Sequence, residues 1–106
     1  MSEKKCKDTG LMKSDIDQIL SVLKKQKNIR KVILFGSRAK GTFSPGSDID
    51  LAISGNDLVT KDLLEIMVGL DELNLPYKFD VIIYERIKEK DLLEHINRVG
   101  IALADL

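Results

Sequence analysis

The order of elements along the chain is helix, strand, loop, strand, helix, strand, helix. It predicts an α/β (α+β) fold in which a small mixed β-sheet is flanked by helices. Three observations carry that expectation. The run Val32 to Phe35 is apolar and largely β-branched, as in a strand buried on both faces. Asp48-Ile-Asp-Leu-Ala-Ile53 alternates polar with apolar, the pattern of a strand with one polar face. Between and around these strands, apolar residues recur at helical spacing in three separate stretches.

Residues 1–13 are expected to form a loosely packed, flexible lead-in, and residues 14–106 a single domain. A first helix is predicted from Ser14 to about Asn28. Ser14 would cap it, Asp17 would complete a capping box, and Ile16, Ile19, Leu20 and Leu23 form its apolar stripe. Lys24, Lys25 and Lys27 suit the negative end of its dipole. The strand Lys31–Phe35 follows and Gly36 ends it. Ser37 to Ser47 is rich in turn residues, with at most one short helical turn at its start.

After the strand Asp48–Ile53 a second helix is predicted over 60–73. Its stripe is Leu63, Leu64, Met67, Leu70 and Leu73, read as a core-facing stripe rather than an interface. Leu75-Pro76 closes it. Phe79–Tyr84 reads as the third strand and Lys90–Val99 as the last helix, capped by Gly100. Ile101–Ala104 fits either an edge strand or a further helical turn.

Composition narrows the function classes. A chain of 106 residues with 43% hydrophobic content can bury a core unaided. Its only cysteine, Cys6, excludes an internal disulfide and a Cys-based zinc site, which suits a reducing cytoplasm. Apolar runs reach four residues, far below the ~20 of a membrane helix, and the N-terminus lacks the apolar stretch of a signal peptide. A cytoplasmic protein with no membrane partner is expected. Net charge is zero, which argues against direct, indiscriminate binding to DNA or RNA. The charge is nonetheless divided: residues 1–47 carry eleven Lys and Arg against four acids, and residues 48–106 six against thirteen. That division reads either as a basic tail followed by acidic helix faces, or as a phosphate-holding half joined to a metal-holding half.

Three acids stand where a core-building sequence would avoid them. Asp48 and Asp50 lie two apart on one strand, so both point to one face while Ile49, Leu51 and Ile53 point to the other. Asp80 opens another strand. If the two strands are neighbours, three carboxylates converge, and they are expected to bind divalent cations: two Mg2+ ions, with Mn2+ as an alternative. Upstream, Gly36-Ser37 follows a strand directly. Such a turn lets an anion approach the backbone, and Ser37, Arg38 and Lys40 add a hydroxyl and two charges.

Gly36-Ser37, ten residues, then Asp48-Ile-Asp50 resembles the signature of the polymerase β-like nucleotidyltransferase superfamily. With FGSRAKGTFSPGSDIDLAI, the later LPYKFDV and the short length, the chain looks like a minimal nucleotidyltransferase (MNT), with the resemblance covering most of residues 15–100. It implies that Asp48, Asp50 and Asp80 are the catalytic, metal-binding acids and that Gly36 and Ser37, with Arg38 and Lys40 beside them, bind the nucleotide. Lys40 departs from the arginine of many relatives; it keeps the charge and loses the bidentate fork.

The implied reaction is transfer of a nucleoside monophosphate, AMP from ATP, to a hydroxyl. Catalysis rests on positioning and charge neutralisation, with no histidine or cysteine nucleophile. Minimal nucleotidyltransferases accompany small helical HEPN ribonuclease toxins, which they neutralise by binding and by attaching AMP to a tyrosine. The resemblance therefore implies an antitoxin with a HEPN partner, working as a hetero-oligomer or homodimer. Two alternatives stand beside it: a non-catalytic nucleotide-binding module that inhibits its partner by occlusion, and a small-molecule (antibiotic) nucleotidyltransferase. His95, the only histidine, reads as a surface or hydrogen-bonded residue rather than a base. Tyr84 reads as core, and Tyr77 and Lys78 as rim residues at most.

Overall fold

Four strands, β1 (Ile29–Phe35), β2 (Ile49–Gly55), β3 (Phe79–Ile83) and β4 (Ile101–Asp105), form one sheet in the order β3-β2-β1-β4. This is a computed structural model and describes residues 9–105. β1 pairs antiparallel with both β2 and β4, whereas β2 and β3 run parallel. The sheet is thus mixed, as expected, and Ile101–Ala104 resolves as an edge strand. A parallel pair cannot be closed by a hairpin. The helix α3 (Thr60–Asp71) supplies the crossover between β2 and β3.

Strand alternation divides the apolar residues between two faces. Val32 and Leu34 of β1, Ile49, Leu51 and Ile53 of β2, and Val81 and Ile83 of β3 all join the main core. The helix α1 (Lys13–Leu23) covers that face through Ile16, Ile19, Val22 and Leu23, and α3 covers it through Ile66 and Leu70. Each such side chain, fully buried, contributes roughly 1.5–3 kcal/mol. The opposite face holds a smaller cluster of Phe35, Ala52 and Ile96, with Ile33, Ile82, Tyr84, Ile87 and Leu92 around it. It is covered by the helix α4 (Lys90–Val99), whose boundaries match the predicted ones.

Several expectations are corrected. α1 starts at Lys13, after an extended Met12 that makes no side-chain cap bond, so Ser14 lies inside the helix and caps nothing. Leu11, at the position before the cap, and Ile16 sit in the same buried cluster, the arrangement of a hydrophobic staple, and this fixes the entry one residue early. α1 also ends at Leu23 rather than near Asn28, because Ile29 is drawn into the sheet and the chain must turn before it. The lead-in is not loose throughout: Thr9 and Leu11 are buried, while residues 1–8, with Cys6, lie outside the described residues. In α3 the buried residues are Ile66 and Leu70, and Leu64, Met67 and Val68 face outward. β3 ends at Ile83, and Tyr84 opens a 3-10 turn over Tyr84–Arg86. Gly100 closes α4 with extended rather than left-handed backbone. Among the described residues no helix is long and apolar enough to cross a membrane.

Candidate active site

The register of the sheet assembles the site. Phe35, the last residue of β1, pairs with Asp50 of β2, and Asp50 pairs with Asp80 of β3. Because Ile49 and Leu51 are spent on the main core, Asp50 faces the other side. Asp80 follows the same rule, since Val81 and Ile83 point into the main core. Asp48 lies one residue before β2 and is exposed, as is Asp80, whereas Asp50 is half-buried.

The three carboxyl groups interact. Asp50 holds its proton to higher pH than an ordinary aspartate, first because burial penalises its charge, then through repulsion from Asp80 and from Asp48. As they stand, no three His, Cys, Asp or Glu side chains among the described residues are gathered closely enough to hold a metal ion. The donor set nevertheless fits a hard divalent cation: carboxylate oxygens only, from Asp50 and Asp80 on paired strand positions and Asp48 one residue before β2, with the central carboxylate's charge opposed by burial and by the other two acids.

Next to Asp50 the chain leaves β1 through Gly36. Its backbone (φ 78°, ψ −156°) is one that only glycine adopts without strain. A Cβ here would also drive into Asp50 Oδ2, so the turn lies directly against the central carboxylate. Gly36 is doubly tied: its carbonyl accepts the Lys40 N–H (3.0 Å), and its N–H donates to His95 Nε2 (3.1 Å). The short helix α2 (Ser37–Lys40) follows, with Ser37 half-buried and Lys40 exposed.

Arg38 is expected at the nucleotide, yet its side chain turns inward and is buried. Its guanidinium donates to the carbonyls of Thr9 (2.9 Å) and Pro45 (3.4 Å), and through Nε (3.2 Å) and Nη2 (3.1 Å) to that of Ser47. It also sits over the rings of Phe43 (5.2 Å) and Tyr77 (5.0 Å). The side chain thus braces the 41–47 loop and fixes the backbone immediately before Asp48. Tyr77 in turn donates to Asp15 (3.2 Å); burial, and then that carboxylate, push the phenol's pKa up. A charged residue amid glycines and serines looks like a ligand contact, so nothing in the sequence marks Arg38 as an internal brace. Tyr84 packs with the smaller cluster and donates to Asn97 (2.8 Å).

The family model "Polymerase beta, Nucleotidyltransferase" matches residues 17–105. The chain belongs to the polymerase β nucleotidyltransferase family. As a member it has the mixed-sheet nucleotidyltransferase fold and the class of a nucleotidyl-transferring enzyme, and the family generally uses divalent metals.

No curated protein sequence matches this chain. Among solved structures, similar folds are minimal nucleotidyltransferase antitoxins in complexes with HEPN toxins. One toxin–antitoxin complex, solved with AMP-PNP, shares 24% identity at a TM-score of 0.72, covering 86% of this chain and 73% of that one. The MntA–HepT pair gives 20% and 0.68, over 90% and 74%. A tri-AMPylated Shewanella oneidensis HEPN toxin with MNT antitoxin also gives 20% and 0.68, over 88% and 71%. At these identities the likeness is one of fold.

Proposed function

We propose that this nucleotidyltransferase moves AMP from ATP to a tyrosine hydroxyl of a HEPN-type ribonuclease toxin in the cytoplasm, and so acts as that toxin's antitoxin. The observation that carries the reading is the joint between turn and acids: Gly36 lies against Asp50, and Asp50 is paired with Asp80. A triphosphate on the turn therefore has its reacting phosphorus beside the carboxylates.

Asp48, Asp50 and Asp80 would hold the divalent cation, two Mg2+ ions or Mn2+, which when bound neutralises both the acids and the phosphates. The chain's own groups do the rest. Gly36 gives the phosphates close access to the backbone, the Ser37 hydroxyl orients them, and Lys40 adds positive charge at the rim. The acceptor oxygen attacks the α-phosphorus in line. A new O–P bond forms, the bond to the bridging oxygen breaks, and pyrophosphate leaves. Asp80, exposed, takes the hydroxyl proton. Arg38 serves by holding the loop ahead of Asp48 rather than by touching the nucleotide. The acceptor arrives on a second chain, so the working species is a hetero-oligomer. The toxin complexes among the fold's neighbours, one with AMP-PNP and one AMPylated, support this choice of donor and acceptor.

The test combines purified protein, a HEPN-type toxin, ATP and Mg2+, with mass spectrometry of the toxin. One or more AMP adducts on tyrosine are expected, together with loss of ribonuclease activity. Asp48→Asn and Asp80→Asn should abolish the adduct while circular dichroism stays unchanged. An unmodified toxin, or inhibition indifferent to ATP and Mg2+, overturns the reading and favours simple occlusion.

A further inference from the structure

We propose that His95 is a positioning residue for the phosphate-binding turn, acting through its hydrogen bond to the Gly36 backbone. The inference rests on the nucleotidyl-transfer reading and assigns a role inside that site.

His95 lies 59 residues from Gly36 in sequence, on α4, and reaches the turn across the smaller face of the sheet. Its Nε2 accepts the Gly36 N–H at 3.1 Å, so that nitrogen carries no hydrogen and the ring proton sits on Nδ1. The ring is not free to swing. It stands edge-to-face on Phe35, with centroids 6.2 Å apart at 80°, and the next residue, Ile96, is buried in the cluster with Phe35. Phe35 is the residue that pairs with Asp50. One helix thus grips both the last strand residue before the turn and the first peptide of the turn itself.

This grip answers a mechanical need. Gly36 has a backbone conformation that few other residues adopt, and glycine also resists staying in any single conformation. Three contacts hold it: Asp50 against its Cα, the Lys40 N–H on its carbonyl, and His95 on its N–H. The first two come from the site's own strand and turn; only His95 comes from outside. It also settles which donors the turn offers. The Gly36 N–H is spent on imidazole, which leaves the amide and hydroxyl of Ser37 to meet an anion. Gly36 then contributes its shape and Ser37 the hydrogen bonds.

Two variants separate positioning from packing. His95→Phe keeps an aromatic ring on Phe35 and loses the acceptor; His95→Gln loses the ring and keeps an acceptor. With ATP as probe, His95→Phe should raise KM about tenfold, the worth of one lost hydrogen bond, while His95→Gln recovers to within about threefold. A purely structural role predicts the opposite order, with losses following melting temperature. Equal KM values for wild type and His95→Phe overturn the proposal. Because the chain has a single histidine, a long-range 1H–15N spectrum reads its tautomer without any transfer reaction. Hydrogen on Nδ1 and a shifted Gly36 amide in His95→Phe are expected, and hydrogen on Nε2 overturns the tie. If the tie is present but wild-type protein labels no toxin, the transfer reading fails instead, and the Kd for ATP then carries the same comparison of variants.

Discussion

The two faces of the sheet are built from the same strands and do opposite work. On the face under α1 and α3, Ile49, Leu51 and Ile53 are fully buried, and the residues around them are apolar. On the face under α4 the alternate positions of the same strands carry Asp50 and Asp80, and the apolar cluster is small. One face supplies the stability that the other draws on, since placing like charges side by side costs folding energy. Period-two alternation lets five residues of β2 serve both purposes without compromise.

Substitutions at neighbouring positions should separate these roles. The largest effect is expected for Asp50→Asn, which should lower AMP transfer about a hundredfold to a thousandfold, as removal of a main electrostatic group does elsewhere. Its melting temperature should not fall. Leu51→Ala, one residue away, should do the reverse: a loss of about 2–5 kcal/mol in denaturant unfolding, with transfer per folded molecule retained. A catalytic collapse in Leu51→Ala under conditions where it stays folded would blur the division.

Arg38→Met tests whether the brace belongs to the stability side. It removes the guanidinium that donates to the Pro45 and Ser47 carbonyls, so a loss of about 1–3 kcal/mol is expected. KM for ATP should change less than kcat, because the altered element is the approach to Asp48 rather than a phosphate contact. A KM rise with unchanged stability would restore Arg38 to the nucleotide.

The smallest effect concerns pH. The proton of Asp50 is held more tightly in the folded protein than in the unfolded chain, so the folded state binds more protons just above the ordinary aspartate range. Stability is then lost as pH rises through that window. In metal-free buffer at pH 7, Asp50→Asn should therefore be more stable than wild type by about 0.5 kcal/mol, the worth of a cross-strand charge pair. The advantage should vanish near pH 3. Calorimetry at the two pH values, with EDTA present, checks it. Adding Mg2+ should raise the melting temperature of wild type and leave Asp50→Asn unmoved.

The comparison also explains what could be read from the chain. The dry face was legible because β-branched runs and strict alternation have few other uses, and the juxtaposition of Asp50 with Asp80 followed from placing their strands together. The inward turn of Arg38 was hidden because its partners are backbone carbonyls, which no side-chain pattern reveals. The His95–Gly36 bond was hidden for a related reason, as it depends on how α4 docks rather than on any local spacing. α3 misled because it has more apolar positions than its buried face can hold, and Leu64, Met67 and Val68 point outward in consequence.

The parallel pairing of β2 with β3 has a temporal consequence. Asp50 and Asp80 are thirty positions apart, and their strands meet only after the intervening helix has crossed over and the loop entropy has been met. The β1–β4 pairing, which joins Lys31 to Asp105, spans still more of the chain. An unfolded chain therefore holds no paired acids, and the carboxylate pair comes into being only with the tertiary fold.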